Sequence, residues 1–420
     1  MPSAPPPGEP APLDGSLPES ALHAFAEGGP FGYYVHVPFC VRRCGYCDFN
    51  TYVPAAGDSG AQAVQRYIDS VIREIELSAD VLSAGGRPLR PVDTVFFGGG
   101  TPTILPSADL VRILDTIRGA FGVAVDAEVT TEANPDSVSP DSLWELAEGG
   151  FTRVSVGMQS TAPHVLATLD RTHTPANVEK AITAARGAGL ATSVDLIYGT
   201  PGESIADWSS SLRTAIDLEP DHISAYALVV EEGTAMGAAL SRGEIAAPDD
   251  DDEADKYELA DAMLAGAGYR WYEVSNWTRT ERGRCRHNEG YWNDGHWWGA
   301  GPGSHSHVGG VRWWNVRFPP TYAIRLRDGF SPVEAREVLD DEQRFTETFM
   351  LGIRLREGVP ITILDSPHAL GRDRVSDLVD EGLLDPAAVT GWDGAEEPRL
   401  VLTIRGRLLA DAVIRTLLGF

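Results

Sequence analysis

Three of the four cysteines lie within eight positions, in the run Tyr34-Val-His-Val-Pro-Phe-Cys40-Val-Arg-Arg-Cys44-Gly-Tyr-Cys47, and the fourth, Cys285, is remote. In a reducing compartment such clustering favours metal binding over disulfides. Four-iron clusters normally take four Cys ligands, so three thiolates leave one iron open to a substrate or cofactor. Two other uses compete for the same residues. Structural zinc could close a Cys3His site with His36, and three unpaired thiols could be ordinary core residues.

A second candidate is Gly98-Gly99-Gly100-Thr101-Pro102. Glycines let backbone approach a ligand closely, although a Gly-rich turn alone is usually only a turn. Polar residues recur where further strands are expected to end: Glu132, Gln159, Arg171 shortly after, and Asp195. Singly, such residues are commonly helix caps or solvated loop residues.

A third candidate is Cys285-Arg-His287-Asn288-Glu-Gly-Tyr291-Trp292, followed by His305 and His307. Seven of the ten tryptophans lie between Trp271 and Trp314. Flat apolar surface beside imidazoles suits a porphyrin, which stacks on aromatic faces while a His ligates its iron. A Trp-rich packing layer with hydrogen-bonded histidines is the commoner fate of such a stretch.

The elements that must position these residues follow from periodicity. β-Branched and aromatic runs predict strands at Tyr33 to Val37, Asp93 to Phe97, Ala127 to Thr131, Arg153 to Gly157, Thr192 to Ile197 and His222 to Ala227. Helical spacing appears between them: Val64, Ile68, Val71, Ile72 and Ile75 after the first strand, then Leu110, Ile113, Leu114 and Ile117 after the second, with further helices at 141–149, 177–188 and 205–217. The alternation implies an α/β fold with a parallel sheet. Six βα units are too few for a closed eight-stranded barrel, so a partial (β/α)6 barrel is expected, with a doubly wound sheet as the alternative. In a barrel the cysteines, the glycine turn and the polar strand ends share one mouth. The expected organisation is a disordered Pro-rich arm over 1–30, the barrel over 31–265, a Trp/Gly-rich region over 266–340 and a small α+β domain over 341–420.

The C-x3-C-x2-C spacing resembles the signature of the radical S-adenosylmethionine (SAM) superfamily. The glycine turn and the segments Thr131-Glu-Ala-Asn-Pro, Ser155-Val-Gly-Met-Gln-Ser and Val194-Asp-Leu-Ile-Tyr-Gly-Thr-Pro-Gly resemble its oxygen-independent coproporphyrinogen III oxidase-like group. This resemblance implies a [4Fe-4S] cluster on Cys40, Cys44 and Cys47. It also implies SAM on the open iron, whose C–S bond the reduced cluster cleaves to a 5′-deoxyadenosyl radical. By the same resemblance Gly99, Gly100, Thr101, Glu132, Gln159, Arg171 and Asp195 contact SAM, with Tyr34, Tyr46 and Ala227 lining its site.

Two features single out the heme-chaperone branch of that group. The oxidases carry a Cys two residues beyond the third ligand, where this chain has Phe49, and the chaperones carry an HNxxYW heme motif, present here as His287, Asn288, Tyr291 and Trp292. The resemblance then implies a protein that holds heme b, delivers it to hemoproteins of the respiratory chain and does not oxidise coproporphyrinogen. His287 heads the motif and is the first choice for an iron ligand, with His305, His307 and Cys285 near enough in sequence to substitute. A radical enzyme acting on a porphyrin, either the oxidase itself or a heme-degrading methyltransferase, is the alternative on the same scaffold.

Composition limits the partners. With 34 basic against 61 acidic residues, a formal net charge of -27, nucleic acid is an unfavourable partner. No apolar run reaches bilayer length and the first 30 residues lack the pattern of a signal peptide, so the expected location is the cytoplasm, with peripheral membrane contact left open.

Overall fold

The computed structural model describes residues 8–390 and 397–419. A short strand β1 (Glu9–Pro10) and helix α1 (Glu19–Glu27) precede the first long strand. Strands and helices then alternate: β2 (Phe31–Val37), α2 (Asp58–Leu82), β3 (Val92–Gly99), α3 (Ser107–Phe121), β4 (Val123–Ala133), α4 (Pro140–Glu148), β5 (Arg153–Gln159), α5 (Pro163–Thr168), α6 (Pro175–Gly187), β6 (Ala191–Tyr198), α7 (Ile205–Asp217) and β7 (His222–Ala227). Each strand pairs in parallel with the next, from β2 to β7. This is the arrangement that six βα repeats predict, and every expected strand lies within an observed one.

Both faces of this curved sheet are covered, and alternation along each strand sorts the residues. One face turns Tyr33, Val35, Val95, Phe97, Val129, Val154, Val156, Val194 and Leu196 onto the helices, all buried in one continuous core. Helix α2 meets it with Tyr67, Ile68, Val71 and Ile75, a stripe at helical spacing. The other face lines a lumen and is largely polar: Thr94, Glu128, Thr130, Arg153, Ser155, Ser193, His222 and Ser224 are all buried.

After α8 (Ala235–Ser241) and α9 (Asp250–Gly266) come β8 (Arg270–Glu273), β9 (Asn276–Thr278), α10 (Arg286–Trp292), β10 (His296–Ala300), β11 (His305–Val308), β12 (Val311–Asn315), α11 (Pro319–Arg327), β13 (Val333–Val338) and α12 (Asp341–Gly352). The Trp/Gly-rich stretch, expected as a region of its own, extends both edges of the same sheet. β9 joins β7 antiparallel, and β10 joins β2 in parallel as a further βα-type neighbour, carrying antiparallel β11, β12 and β13 with it. The described residues give one 13-stranded sheet, closed by no pairing between its end strands β1 and β8.

The arm expected to be disordered over 1–30 is ordered from residue 8, while residues 1–7 lie outside the described residues. Its Pro content is high, but Ala21, Leu22 and Phe25 fall on one face of α1 and are buried, with Phe25 edge-on to Phe31 at 5.0 Å. β1 pairs with β13, Glu9 opposite Arg336. From α12 onward the tail gathers a second core from Phe349, Ile353, Leu364, Leu384, Val413 and Leu417. It meets the barrel where Arg407 lies 4.1 Å over the Trp271 ring and pairs with Asp261 at 3.0 Å.

Candidate functional site

The cysteine loop leaves the C-terminal end of β2. Its two limbs are tied together by Tyr52 N–H donating to the Pro38 carbonyl at 2.7 Å and Cys40 N–H donating to the Tyr52 carbonyl at 3.0 Å. Cys40 is buried, while Cys44 and Cys47 are half-buried, and all three are free thiols. Thr101 Oγ1 donates to Cys40 Sγ at 3.8 Å and Arg171 to Cys44 Sγ at 3.9 Å. Donors aimed at sulfur favour thiolates, the form that binds iron. Burial acts the other way at two of them, pushing the Cys40 thiol up to about 11 and raising Cys47, so these two favour the neutral thiol. A bound metal cluster supplies the positive charge that reverses this.

The zinc alternative requires His36, and its ring is committed: Nδ1 pairs with Tyr34 Oη at 3.1 Å and Nε2 with the Asn50 carbonyl at 3.0 Å. No three His, Cys, Asp or Glu among the described residues are drawn together as for a single metal ion. With both His36 nitrogens engaged, the three thiols lack the fourth protein ligand that closes a structural zinc site, whereas a cluster on three thiolates with one open iron needs none.

The other candidates for the SAM site gather at the same mouth. Gly99, at φ +106°, donates its N–H to Glu132 Oε2 at 3.1 Å. Burial and the neighbouring Asp195 raise the Glu132 carboxyl to about 8. Asp195, raised to about 6 mainly by burial, accepts from Ser155 Oγ at 2.8 Å. Gln159 ends β5 at φ +61°, a left-handed conformation costly for a side-chain-bearing residue. Arg171 bridges from Cys44 to the Gly157 carbonyl at 3.1 Å, and Tyr46 packs beside a small apolar cluster that includes Ile197 and Leu228. Ala227 is the last residue of β7. Gly100 has a role the sequence did not show. A Cβ there would lie 2.5 Å from the Phe39 carbonyl and 2.8 Å from that of Val37, so this glycine lets the turn dock on the strand that carries the cysteines.

The HNxxYW residues are not at this mouth. α10 lies against the N-terminal ends of the same strands, with Glu128 of β4 at its first turn: Arg286 N–H donates to Oε2 at 3.0 Å, and His287 N–H and the Cys285 thiol donate to Oε1 at 3.3 and 3.5 Å. Arg153 of β5 pairs with Glu128 at 3.2 Å, both buried, and donates to the carbonyls of Gly283 and Arg284 at 2.9 Å each. Tyr272 Oη accepts from Cys285 N–H at 3.0 Å and pairs with His222 Nε2 at 2.7 Å. Strand rise places this end roughly 15–20 Å from the cysteine mouth.

Between the two ends the lumen is filled by rings. His287 stacks on Phe96 at 5.2 Å and lies 6.4 Å from Tyr34. Its Nδ1 pairs with Thr94 Oγ1 and its Nε2 with Tyr291 Oη, each at 2.8 Å, and burial pushes the imidazole down to about 3. His287 is therefore neutral with both nitrogens occupied, and it must give up a hydroxyl before it can ligate iron. Tyr291 continues the column onto Trp297 at 4.8 Å. Glu128, Arg153, His222 and Tyr272 were not singled out from sequence. Their signal was period-two polarity within apolar strands, as in Glu128, Thr130, Glu132 and Arg153, Ser155.

The radical SAM superfamily profile matches residues 34–215. The heme chaperone HemW of Mycobacterium tuberculosis (strain ATCC 25618 / H37Rv) is 51% identical over 393 residues, covering 93% of this chain and 96% of that protein. The chain belongs to the HemW family. Members named heme chaperone HemW from Bacillus subtilis (strain 168) and Escherichia coli (strain K12) are 31% and 33% identical, over 92% and 84% of this chain and 98% and 90% of their own. Outside the HemW family, the structure of coproporphyrinogen III oxidase (HemN) from Escherichia coli superposes with a TM-score of 0.77 at 23% identity, covering 96% of this chain and 94% of that one, which establishes the shared fold.

Proposed function

We propose that this protein is a heme chaperone on a radical SAM scaffold, holding heme b beside the HNxxYW helix and passing it to an acceptor hemoprotein. One observation carries the reading: half of the residues are identical, over nearly the whole chain, to a protein named for that role, with the HNxxYW residues present at 287–292. On this reading Cys40, Cys44 and Cys47 hold a [4Fe-4S] cluster, whose open iron supplies a redox-active site for SAM. Gly99 and Thr101 bound the methionine end, while Glu132 and Asp195 present carboxyls to groups with N–H or O–H donors. Gln159, Arg171, Tyr34, Tyr46 and Ala227 complete the walls. Arg171 and Thr101 hold the sulfurs, and Tyr34 holds His36 away from them.

Phe49, 52% exposed beside the loop, occupies the place of the oxidase cysteine, which supports a carrier over a coproporphyrinogen oxidase. The acceptors are hemoproteins of the respiratory chain, met from the cytoplasm. Among the described residues no helix is long and apolar enough to cross a membrane. The test is anaerobic reconstitution with iron and sulfide, followed by parallel assays of heme transfer to an apo-hemoprotein, 5′-deoxyadenosine release and coproporphyrinogen conversion. Heme transfer without conversion is the expected result, and robust conversion to protoporphyrinogen would assign the protein to the oxidases.

A further inference from the structure

A cavity of about 500 Å3 opens at the N-terminal ends of β2, β3 and β10, on the far side of the lumen from the cysteines. Its size lies within the range of sites for cofactor-sized ligands, roughly 300–1,000 Å3. Tyr291, Trp297 and His296 give it an aromatic wall, and Arg90 and Arg286 stand in its lining. We propose that this cavity is the heme seat and that Arg90 and Arg286 recognise the propionates, an inference that rests on the heme-chaperone reading.

The charges on the page point the same way. Arg90 directs its N–H groups to the backbone carbonyls of Phe25, at 3.1 Å, and Gly29, with its face 5.5 Å over the Phe25 ring, rather than to a carboxylate. Arg286 has a single ion pair, 3.5 Å from Asp126, which is itself 86% exposed. Such a pair is weak and exchanges readily for a better anion. Of the acids in the wall, Glu289 is paired with Arg284 at 3.2 Å, and Asp93 turns one oxygen back to Phe31 N–H at 2.8 Å. Two guanidinium groups thus stand at an aromatic cavity in a chain of net charge -27, Arg90 held by backbone carbonyls alone and Arg286 by the carbonyl and the exposed carboxylate of Asp126. That combination selects a flat apolar ligand carrying carboxylates, because the surrounding negative charge rejects anions that gain nothing from the aromatic wall.

The experiment is a Soret titration of the purified full chain with iron protoporphyrin IX and, separately, with its dimethyl ester, in wild type, Arg90→Gln, Arg286→Gln and the double variant. Wild type is expected to bind the free acid at least tenfold more tightly than the ester. The double variant should lose that preference and bind both porphyrins with the wild-type affinity for the ester. Arg286→Gln changes an exposed side chain, so it keeps the test informative if Arg90→Gln disturbs the carbonyls it holds. Unchanged preference in these variants, with heme still bound, would place the propionates elsewhere and overturn the seat alone. Wild type that took up neither porphyrin would overturn the chaperone reading itself.

Discussion

Replacing Glu128 by Gln should loosen the HNxxYW helix while leaving the rest of the barrel intact. Glu128 is buried against Arg153 and accepts from the first backbone N–H groups of α10 and from Cys285. Removing one partner of a buried ion pair costs about 3–5 kcal/mol, because the other charge is left without compensation. Gln retains one carbonyl oxygen for the helix, which puts the expected cost near the lower end. At about 1.4 kcal/mol per factor of ten, about 3 kcal/mol is roughly a hundredfold. Hydrogen exchange by mass spectrometry reads this locally: amides of 285–292 should lose roughly a hundredfold in protection, while those of α7, on another part of the barrel, keep theirs. Adding Arg153→Met should recover part of the loss by removing the stranded charge. Protection at 285–292 within a few-fold of wild type in Glu128→Gln would refute the claim that this pair anchors the helix.

Three further outcomes are expected. Cys40→Ala, Cys44→Ala and Cys47→Ala should each abolish the cluster absorbance after reconstitution, whereas Cys285→Ala should retain full iron and sulfide, because its thiol is engaged with Glu128 at the opposite end. Gly100→Ala should lower iron content as well as SAM affinity, since its Cβ meets the backbone of the cysteine strand; normal iron content with SAM binding lost would show that the glycine serves only ligand approach. Glu132 has a folded pKa of about 8 against 4.5 in the unfolded chain, so its contribution to apo-protein stability is complete below pH 4.5 and is lost as pH rises to about 8. Glu132→Gln should therefore gain stability relative to wild type across that interval, measured by urea midpoints. Glu74 and Glu273, each raised to about 7 mainly by burial, keep part of the slope in both proteins.

Much of the fold was legible because its signals are local. Six runs such as Val35 and Val37, or Val154 and Val156, fix strands, and the stripe of Ile68, Val71 and Ile75 fixes a helix. The cysteine mouth was legible for the same reason, since strand ends in a parallel sheet share one edge. The N-terminal arm was misjudged because proline content outweighed a short face formed by Ala21, Leu22 and Phe25. The Trp/Gly-rich strands looked separate because their role depends on pairing with β2 and β7, far away in sequence. The position of α10 depends on Glu128 and Arg153, each about 130–160 residues from its partners there, and no spacing rule connects them.

The column of Tyr34, Phe96, His287 and Tyr291 also acts as a partition. Tyr34 stacks on Phe96, Phe96 on His287, and Tyr291 meets His287 edge-on, so these rings lie between the two ends of the lumen. A short-lived reactive species made among the cysteines would meet these rings before anything lodged beside Trp297, and a ligand there would be shielded from it by its own binding motif. On the proposed reading, communication between the ends would run through displacements of these rings and of the Thr94 and Tyr291 hydroxyls on His287.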